Sequence, residues 1–354
     1  MARQLVVAQA DLNPGRRLQA SGGEARSLYA ELVKNFSTRT KPEGGALNVV
    51  VEKFITTALA EARKSGLSPS NIIHDRLSKL SELVMGYDFA SVIDAYWRAY
   101  ETDNDTLKAN AIRWLRGEFS TKSDAKSALG VREIIGDAAI YDQIKLLAKF
   151  CRISGYSGLL ICLDEMVNIY KLPHTISRNS NYEQILRILN DLEQGNVEGL
   201  GFVMGGTSEF LTDTRRGLYS YAALRTRLIE NPFARNGLID VSGPVLRLGN
   251  LTRKQFETLL IKLRNLYQSH LDIDQILPPE AILKFIDHCE SRIGEATFRT
   301  PRTTIKEFLG LLAVLEQNKG AKWGDLLNHS HIVADVNSDA SGDNNSSELT
   351  NLTL

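Results

Sequence analysis

Residues 158–165, GLLICLDE, give the clearest indication of the fold, because five apolar residues run directly into two acids. A continuous apolar run of this length predicts a strand buried on both faces, as in a parallel sheet. The acids fit a Walker B segment, in which Asp164 would hold Mg²⁺ and Glu165 would activate a water for attack on a γ-phosphate. A buried strand with a polar exit, which is common in α/β proteins, would explain the same residues without a nucleotide.

Two further apolar runs predict strands before and after this one, at residues 4–12 (QLVVAQADL) and 199–204 (GLGFVM). Residues 181–193 have apolar side chains at helical spacing between the second and third strands. Strand, helix and strand form a βαβ unit, which predicts a parallel sheet. Residues 245–248 predict a fourth strand.

The third strand ends in Gly205-Gly206-Thr207-Ser208. At that position Thr207 could orient the attacking water, which is the sensor-1 role in ATPases with an additional strand. Thr207 followed by Glu209 would equally serve as an ordinary helix N-cap. Both interpretations remain open from the residues alone.

More than one hundred residues between the first two strands show helical spacing and no convincing strand. We expect helix N-caps at Ser70 and Thr106, and at Thr252 for a helix over 253–267. The predicted helices before the second strand cover residues 24–36, 46–64, 70–85, 89–100, 106–116 and 137–153.

Arginines cluster after the third strand, in residues 213–216 (DTRR) and at Arg225 and Arg227. A guanidinium there could neutralise charge on a transferring phosphoryl group, in cis or from a neighbouring subunit. A solvated basic face, or contacts to DNA phosphates, would explain the same residues. Arg302 follows Pro301 at the start of a helix that runs to about residue 317, which suits either a sensor-2 arginine or an ordinary exposed first turn.

Composition excludes several classes of protein. The chain has 354 residues with 42 basic and 42 acidic side chains, so it is not a strongly basic nucleic-acid binder. Residues 335–354 hold four acids and no Lys or Arg, which leaves residues 1–334 with a net charge of +4 and predicts a disordered acidic tail. No signal-peptide pattern or membrane-length apolar run is visible, and the three scattered cysteines favour a reduced, cytoplasmic protein.

Several of these segments resemble the ATP-binding proteins of BREX phage-defence systems, the BrxC/BrxD group, and within it BrxD. The similarity covers nearly all of residues 1–328 and leaves out the acidic tail. The segments that carry it are residues 18–47, 155–172, 177–195, 199–228 and 300–312. The resemblance implies a P-loop ATPase of AAA+ type that uses ATP and Mg²⁺, forms homo- or hetero-oligomers with other BREX proteins, and does not enter a membrane; DNA is a further candidate partner.

The resemblance also assigns roles to individual residues. Asp164 and Glu165 match the Walker B pair, with Asp164 on Mg²⁺ and nucleotide, and Thr207 matches sensor 1. The arginine segment with Arg225 and Arg227 matches the family without showing which of the two acts as a finger. Arg302 matches the sensor-2 contact to nucleotide.

One element of the family has no counterpart in this sequence. No Gly is followed by Lys, so the phosphate loop G-x-x-x-x-G-K-[ST] is absent, and the Gly22-Gly23 pair is better explained as a turn. Because residues 4–12 match the second strand of such folds, we expect the chain to begin just after the phosphate loop. A truncated chain and a naturally inactive one are both possible causes, and the retained acids favour truncation. On either view this chain is expected to bind ATP weakly or not at all.

The expected architecture is therefore α/β: a P-loop core with a parallel sheet, a large all-helical insertion, and a C-terminal helical lid or winged-helix-like domain. The predicted divisions are the start of the core (1–45), the insertion (46–135), the core with Walker B and sensor 1 (136–248), the lid (249–330) and the acidic tail (331–354). The implied function is an ATP-binding or ATPase component that couples nucleotide state to assembly with DNA or partner proteins. The alternatives are a non-catalytic DNA-binding or scaffolding module, or an Orc/Cdc6-like regulator.

Overall fold

The computed structural model describes residues 4–233, 240–249, 251–269, 276–293 and 301–329. The chain divides into two compact units, residues 1–245 and 246–354, which are described separately. The predicted acidic tail lies outside the described residues. The five predicted domain limits stay predictions.

The first unit is built on a sheet of three parallel strands in the order β1-β2-β3. The strands are β1 (Leu5–Asp11), β2 (Gly158–Asp164) and β3 (Leu200–Met204). All three predicted strands and their parallel arrangement are confirmed. The register places Asp11 opposite Asp164 and Leu163 opposite Met204, so the strands end at one edge of the sheet.

The fourth predicted strand, at residues 245–248, is wrong. These residues form no strand and join no sheet. Leu246 and Leu248 are 60% and 95% exposed, so the apolar alternation that suggested a strand has no layer to pack against. Hydrophobic pattern alone does not make a strand where the apolar side chains have no surface to pack against.

Helices make up most of the remaining first unit. The predicted helix over 70–85 ends earlier than expected, and a helix over Lys122–Leu129 was not predicted; the other helical segments of the region are confirmed. The bounds are α1 (Glu24–Lys34), α2 (Leu47–Ser65), α3 (Pro69–Ser78), α4 (Gly86–Glu101), α5 (Asp105–Leu115), α6 (Lys122–Leu129), α7 (Ile140–Ile153), α8 (Val167–Tyr170), α9 (Thr175–Glu193), α10 (Ser208–Thr212) and α11 (Ala222–Leu228).

Two predicted N-caps are wrong by two residues. Helix α3 begins one position before Ser70, with Ser68 as its N-cap, because Pro69 has the fixed φ of a first helical residue and lacks the N–H that would go unsatisfied there. The N-cap of α5 is Asn104 and not Thr106, since the Asn104 Oδ1 accepts a hydrogen bond from the Leu107 N–H at 3.0 Å.

The two faces of the sheet are covered unequally. One face is fully buried and packs with α1 and α7; its side chains are Val6, Ala8, Ala10, Leu159, Ile161 and Leu163. The opposite face leaves Leu5 47% and Val203 57% exposed. Parallel sheets are usually covered on both faces, so this surface is unusually open among the described residues.

The two edges of the sheet also differ. Along the outer edge of β1, Val7 and Ser37 exchange backbone hydrogen bonds of 3.0 and 2.8 Å in an antiparallel bridge. Among the described residues β3 pairs only with β2. The outer edge of β3 therefore keeps its backbone groups available for another strand.

The second unit is helical in its described parts, with α12 (Arg253–Ser269), α13 (Pro279–Ile293), α14 (Pro301–Gln317) and α15 (Trp323–His329). Thr252 caps α12 as predicted, and it shares a reciprocal capping box with Gln255: each backbone N–H donates to the other side chain, at 2.8 and 3.3 Å. The predicted start at Pro301 is also confirmed. The core of this unit contains Phe256, Leu260, Phe285, Ile286, Phe308 and Leu312.

Candidate functional site

The loops that follow the three strands are joined at the carboxyl edge of the sheet by backbone hydrogen bonds. The Leu12 N–H donates to the Asp164 carbonyl oxygen at 3.0 Å. The Gly205 N–H donates to the Leu163 carbonyl at 2.8 Å, and the Gly205 carbonyl accepts from the Met166 N–H at 3.0 Å. The acids after β2 and the Gly-Gly-Thr segment after β3 therefore form one connected site.

Asp164 presents an exposed carboxylate at this edge. Its Oδ1 accepts a hydrogen bond from the Glu165 N–H at 2.8 Å, and its Oδ2 accepts none from the described residues. A Cβ on Gly205 would lie 2.6 Å from Oδ1. The backbone after β3 thus passes so close to the carboxylate that only glycine leaves it undisturbed.

Glu165 has a left-handed backbone, with φ of 56°. This conformation costs a residue with a side chain on the order of 1–3 kcal/mol. The Glu165 carboxylate is exposed and makes no hydrogen bond or ion pair with the described residues. Strain of this kind at an exposed acid beside Asp164 is typical of a functional position.

We expect Glu165→Gly to stabilise the first unit. Glycine adopts a positive φ without steric cost, so the free energy of unfolding should rise by on the order of 1 kcal/mol, or roughly 2–4 °C in melting temperature. Thermal unfolding followed by circular dichroism measures this. Glu183→Gly, at an exposed position inside α9, should instead lower the melting temperature, because glycine weakens a helix interior.

Thr207 lies at the same edge, exposed, as the N-cap of α10. Its Oγ1 accepts a hydrogen bond from the Phe210 N–H at 3.4 Å, which confirms the capping interpretation. A hydroxyl that accepts such a bond can still donate its own proton. The sensor-1 role therefore stays a prediction beside the confirmed cap.

The two arginines of α11 differ in their surroundings. The Arg227 Nη1 donates to the Ala223 carbonyl at 2.9 Å, and its Nε lies 3.9 Å from a carboxylate oxygen of Glu193. Arg225 is exposed, and its side chain makes no contact of this kind with the described residues. Of the two predicted finger residues, Arg225 has the guanidinium that is available to a ligand.

Three other residues near this edge, Tyr170, Asp213 and Arg216, were not predicted individually from the sequence. The Tyr170 hydroxyl donates to Asp213 Oδ2 at 2.9 Å, and the Arg216 Nη2 donates to the Tyr170 carbonyl at 3.2 Å. Asp213 and Arg216 were part of the arginine-rich stretch, but no local pattern pointed to Tyr170. Only the folded chain brings these residues together.

Arg302 is exposed in the first turn of α14, in the second unit. Its predicted sensor-2 role stays a prediction.

The Gly22-Gly23 pair forms the N-terminus of α1, and its backbone donors are already used. The Asp137 carboxylate accepts hydrogen bonds from the Gly23 N–H at 2.6 Å and the Arg26 N–H at 2.8 Å. The Glu24 carboxylate accepts one from the Gly22 N–H at 2.9 Å. Two protein carboxylates thus take the place that a phosphate would need, in agreement with the interpretation as a turn.

The fit of Mg²⁺ to this edge rests on one carboxylate. In the described part of the chain, no three His, Cys, Asp or Glu side chains come together as a metal-binding group. Mg²⁺ is commonly held by one or two carboxylates together with phosphate oxygens and waters. The exposed Asp164, with one carboxylate oxygen that accepts no hydrogen bond, fits that mode.

Among the described residues, no helix has the length and apolarity to cross a bilayer.

The fold and the site define a mixed α/β protein whose parallel sheet carries an exposed acid pair and a Gly-Gly-Thr turn at its carboxyl edge. The model of the family described as "BREX system ATP-binding protein BrxC/D" matches residues 1–331. The chain therefore belongs to this family of ATP-binding proteins from a phage-defence system. No curated protein and no solved structure matches it.

Proposed function

We propose that this chain is the ATP-binding, ATP-hydrolysing component of a cytoplasmic BREX defence complex, with an AAA+-type core and a helical lid. One observation carries the proposal: backbone hydrogen bonds through Gly205 join the Asp164-Glu165 pair to the Thr207 turn at a single sheet edge. Ligands of open α/β sheets bind beyond the carboxyl ends of the strands. The complex would contain other BREX proteins, further copies of this chain, or DNA.

Each residue would contribute a separate part of the chemistry. Asp164 would hold Mg²⁺, which neutralises charge on the phosphates when bound. Glu165 would accept a proton from the attacking water, and the Thr207 hydroxyl would orient that water. Arg225 would face phosphate charge from its own or a neighbouring subunit, and Arg302 would contact the nucleotide from the lid.

The open side of the sheet supports a place for the phosphate-binding loop. Another strand can pair with the edge of β3 that is unpaired among the described residues, and the helix that follows it would cover the face that exposes Val203. The loop between them would reach the carboxyl edge beside Asp164. We propose that such a strand-loop-helix unit completes the site, supplied by a further segment of the same protein or by a partner protein.

Asp164→Asn tests the proposal in the gene at its own chromosomal locus, so that whatever completes the site is present. We expect Mg²⁺-dependent ATP turnover by the purified complex to fall about 10²-fold or more, because a neutral amide is a poor Mg²⁺ ligand. Phage protection, measured as plating efficiency, should be lost with it.

Asp124→Asn is the matched control, since Asp124 is an exposed acid on α6 whose carboxylate makes no hydrogen bond or ion pair with the described residues. It should leave turnover and protection unchanged. Unaltered protection by Asp164→Asn would contradict the nucleotide function. It would favour the DNA-binding or scaffolding alternative, for which the salt dependence of DNA binding is the next measurement.

A further inference from the structure

A hydrogen-bonded clamp, made of Tyr170, Asp213 and Arg216, joins the loop after Glu165 to the arginine-rich segment after β3. Tyr170 ends α8, five residues beyond Glu165. Its hydroxyl donates to Asp213 Oδ2 at 2.9 Å. The other oxygen, Oδ1, accepts from the backbone N–H of Arg215 at 2.7 Å. One carboxylate thus holds both segments.

Arg216 closes the clamp from the opposite direction. Its Nη2 donates to the carbonyl oxygens of Tyr170 and Leu172, at 3.2 and 3.3 Å, and its guanidinium lies 5.4 Å from the centre of the Tyr170 ring. The hydroxyl of the fully buried Tyr182 donates to the Arg216 carbonyl at 2.6 Å. The clamp is therefore anchored to the core through α9.

The arginine-rich segment beyond the clamp is packed as one piece. A Cβ on Gly217 would lie within 2.8 Å of the carbonyl oxygens of Phe210, Asp213 and Glu209, so the turn after the clamp lies directly against the end of α10. Leu224 of α11 is fully buried. A displacement at Asp213 would therefore be transmitted to Arg225 rather than absorbed in a loose loop.

Charge strengthens the contact between Tyr170 and Asp213. The Arg215 N–H and the Tyr170 hydroxyl both donate to the carboxylate, which holds the pKa of Asp213 below its ordinary value. Asp213 is therefore ionised at neutral pH. Hydrogen bonds to a charged acceptor are stronger than those between neutral groups.

We propose that the Tyr170–Asp213 hydrogen bond couples the conformation of the Glu165 loop to the position of Arg225. Tyr170 and Asp213 are positioning residues in this scheme, because neither has to touch nucleotide. The inference rests on the proposed function for the role of this coupling. A conformational change at Glu165, the proposed base, would move Arg225, the proposed arginine finger.

The test displaces the Glu165 loop and follows amide hydrogen exchange in the full chain, without nucleotide. Glu165→Val forces the loop to change, because a β-branched residue is strongly disfavoured at a φ of 56°. We expect exchange to rise roughly 10-fold in residues 165–172 and, through the clamp, in residues 213–228. Asn168→Ala loosens the same loop by removing the 2.8 Å bond to the Leu12 carbonyl, and serves if the valine variant does not fold.

Tyr170→Phe then removes the hydroxyl while keeping the ring against Arg216. In this background the loop change should still raise exchange in residues 165–172. The rise in residues 213–228 should be several-fold smaller, because only the Arg216 bonds to the carbonyls of Tyr170 and Leu172 still join the two segments. A merely structural tyrosine would alter the baseline of both segments without reducing this response. Tyr219→Phe is the control, because it deletes a 3.0 Å bond to the Leu228 carbonyl within the same segment and leaves the clamp intact.

An undiminished response of residues 213–228 in the Tyr170→Phe background would overturn the coupling. A several-fold smaller response of residues 213–228 in that background, together with an unchanged response in Tyr219→Phe, would support it. The readout needs no ATP, so failure of the clamp can be distinguished from failure of the proposed function, which is judged separately by turnover with Asp164→Asn.

Discussion

Glu165→Gln is expected to lower ATP turnover about 10²- to 10⁴-fold, the range that general acid–base groups contribute. Glutamine has nearly the same size and the same backbone requirement, so the left-handed conformation at this position should persist. Its amide cannot accept the proton of the attacking water. Because Asp164 and its bond to the backbone N–H of residue 165 are untouched, nucleotide affinity should stay within a few-fold.

The measurement is single-turnover ATP hydrolysis together with nucleotide binding, on complex purified from a strain edited at its own locus. Glu183→Gln makes the same chemical change at an exposed position on α9 and should have no effect. A variant at Glu165 that hydrolyses ATP at the normal rate would show that another group acts as the base. Equal loss of binding and turnover would instead assign Glu165 to nucleotide binding.

Gly205→Ala is expected to reduce turnover about 10²-fold with little change in stability. The new Cβ would meet Asp164 Oδ1 at 2.6 Å, and the carboxylate can relieve this clash by rotating away. That rotation breaks the hydrogen bond to the Glu165 N–H and displaces the proposed Mg²⁺ ligand. A misplacement of about 1 Å in a catalytic group is enough for an effect of this size.

Turnover, its dependence on Mg²⁺ concentration, and the melting temperature check this expectation together. We expect the half-saturating Mg²⁺ concentration to rise, and the melting temperature to change by no more than about 2 °C. Gly136→Ala adds the same methyl group where no atom lies within 4 Å, and should be neutral in all three measurements. A normal Mg²⁺ dependence in Gly205→Ala would argue against Asp164 as the metal ligand.

The sheet could be predicted from sequence because each strand is a short apolar run with a clear end. The same logic failed at residues 245–248, since a local pattern shows which side chains are apolar and not whether the fold buries them. The caps at Ser70 and Thr106 failed for a related reason: Pro69 and Asn104, one and two residues earlier, compete better for the helix start. Local patterns locate elements more reliably than they locate element ends.

The acids and the threonine turn of the site were also visible in the sequence, because they follow strands directly. Their mutual fit was not: the need for glycine at position 205 arises from an atom on a neighbouring strand, 41 residues away along the chain. Arg225 and Arg227 cannot be distinguished from the sequence, and only the hydrogen-bond and ion-pair acceptors around Arg227 show that the two differ. Contacts between distant segments, such as the clamp, leave no trace in local pattern.

Among the described residues the outer edge of β3 is unpaired, and this has a consequence for how much of the protein a cell can maintain. A strand with free amide and carbonyl groups recruits other strands, and in excess it leads to aggregation or to disposal by proteases. The amount of the chain that persists in the cell would then be limited by the amount of the segment or partner that covers that edge. Defence genes that produce this chain and its covering partner in matched amounts would avoid losing the excess chain. An unpaired strand edge would thus constrain gene dosage.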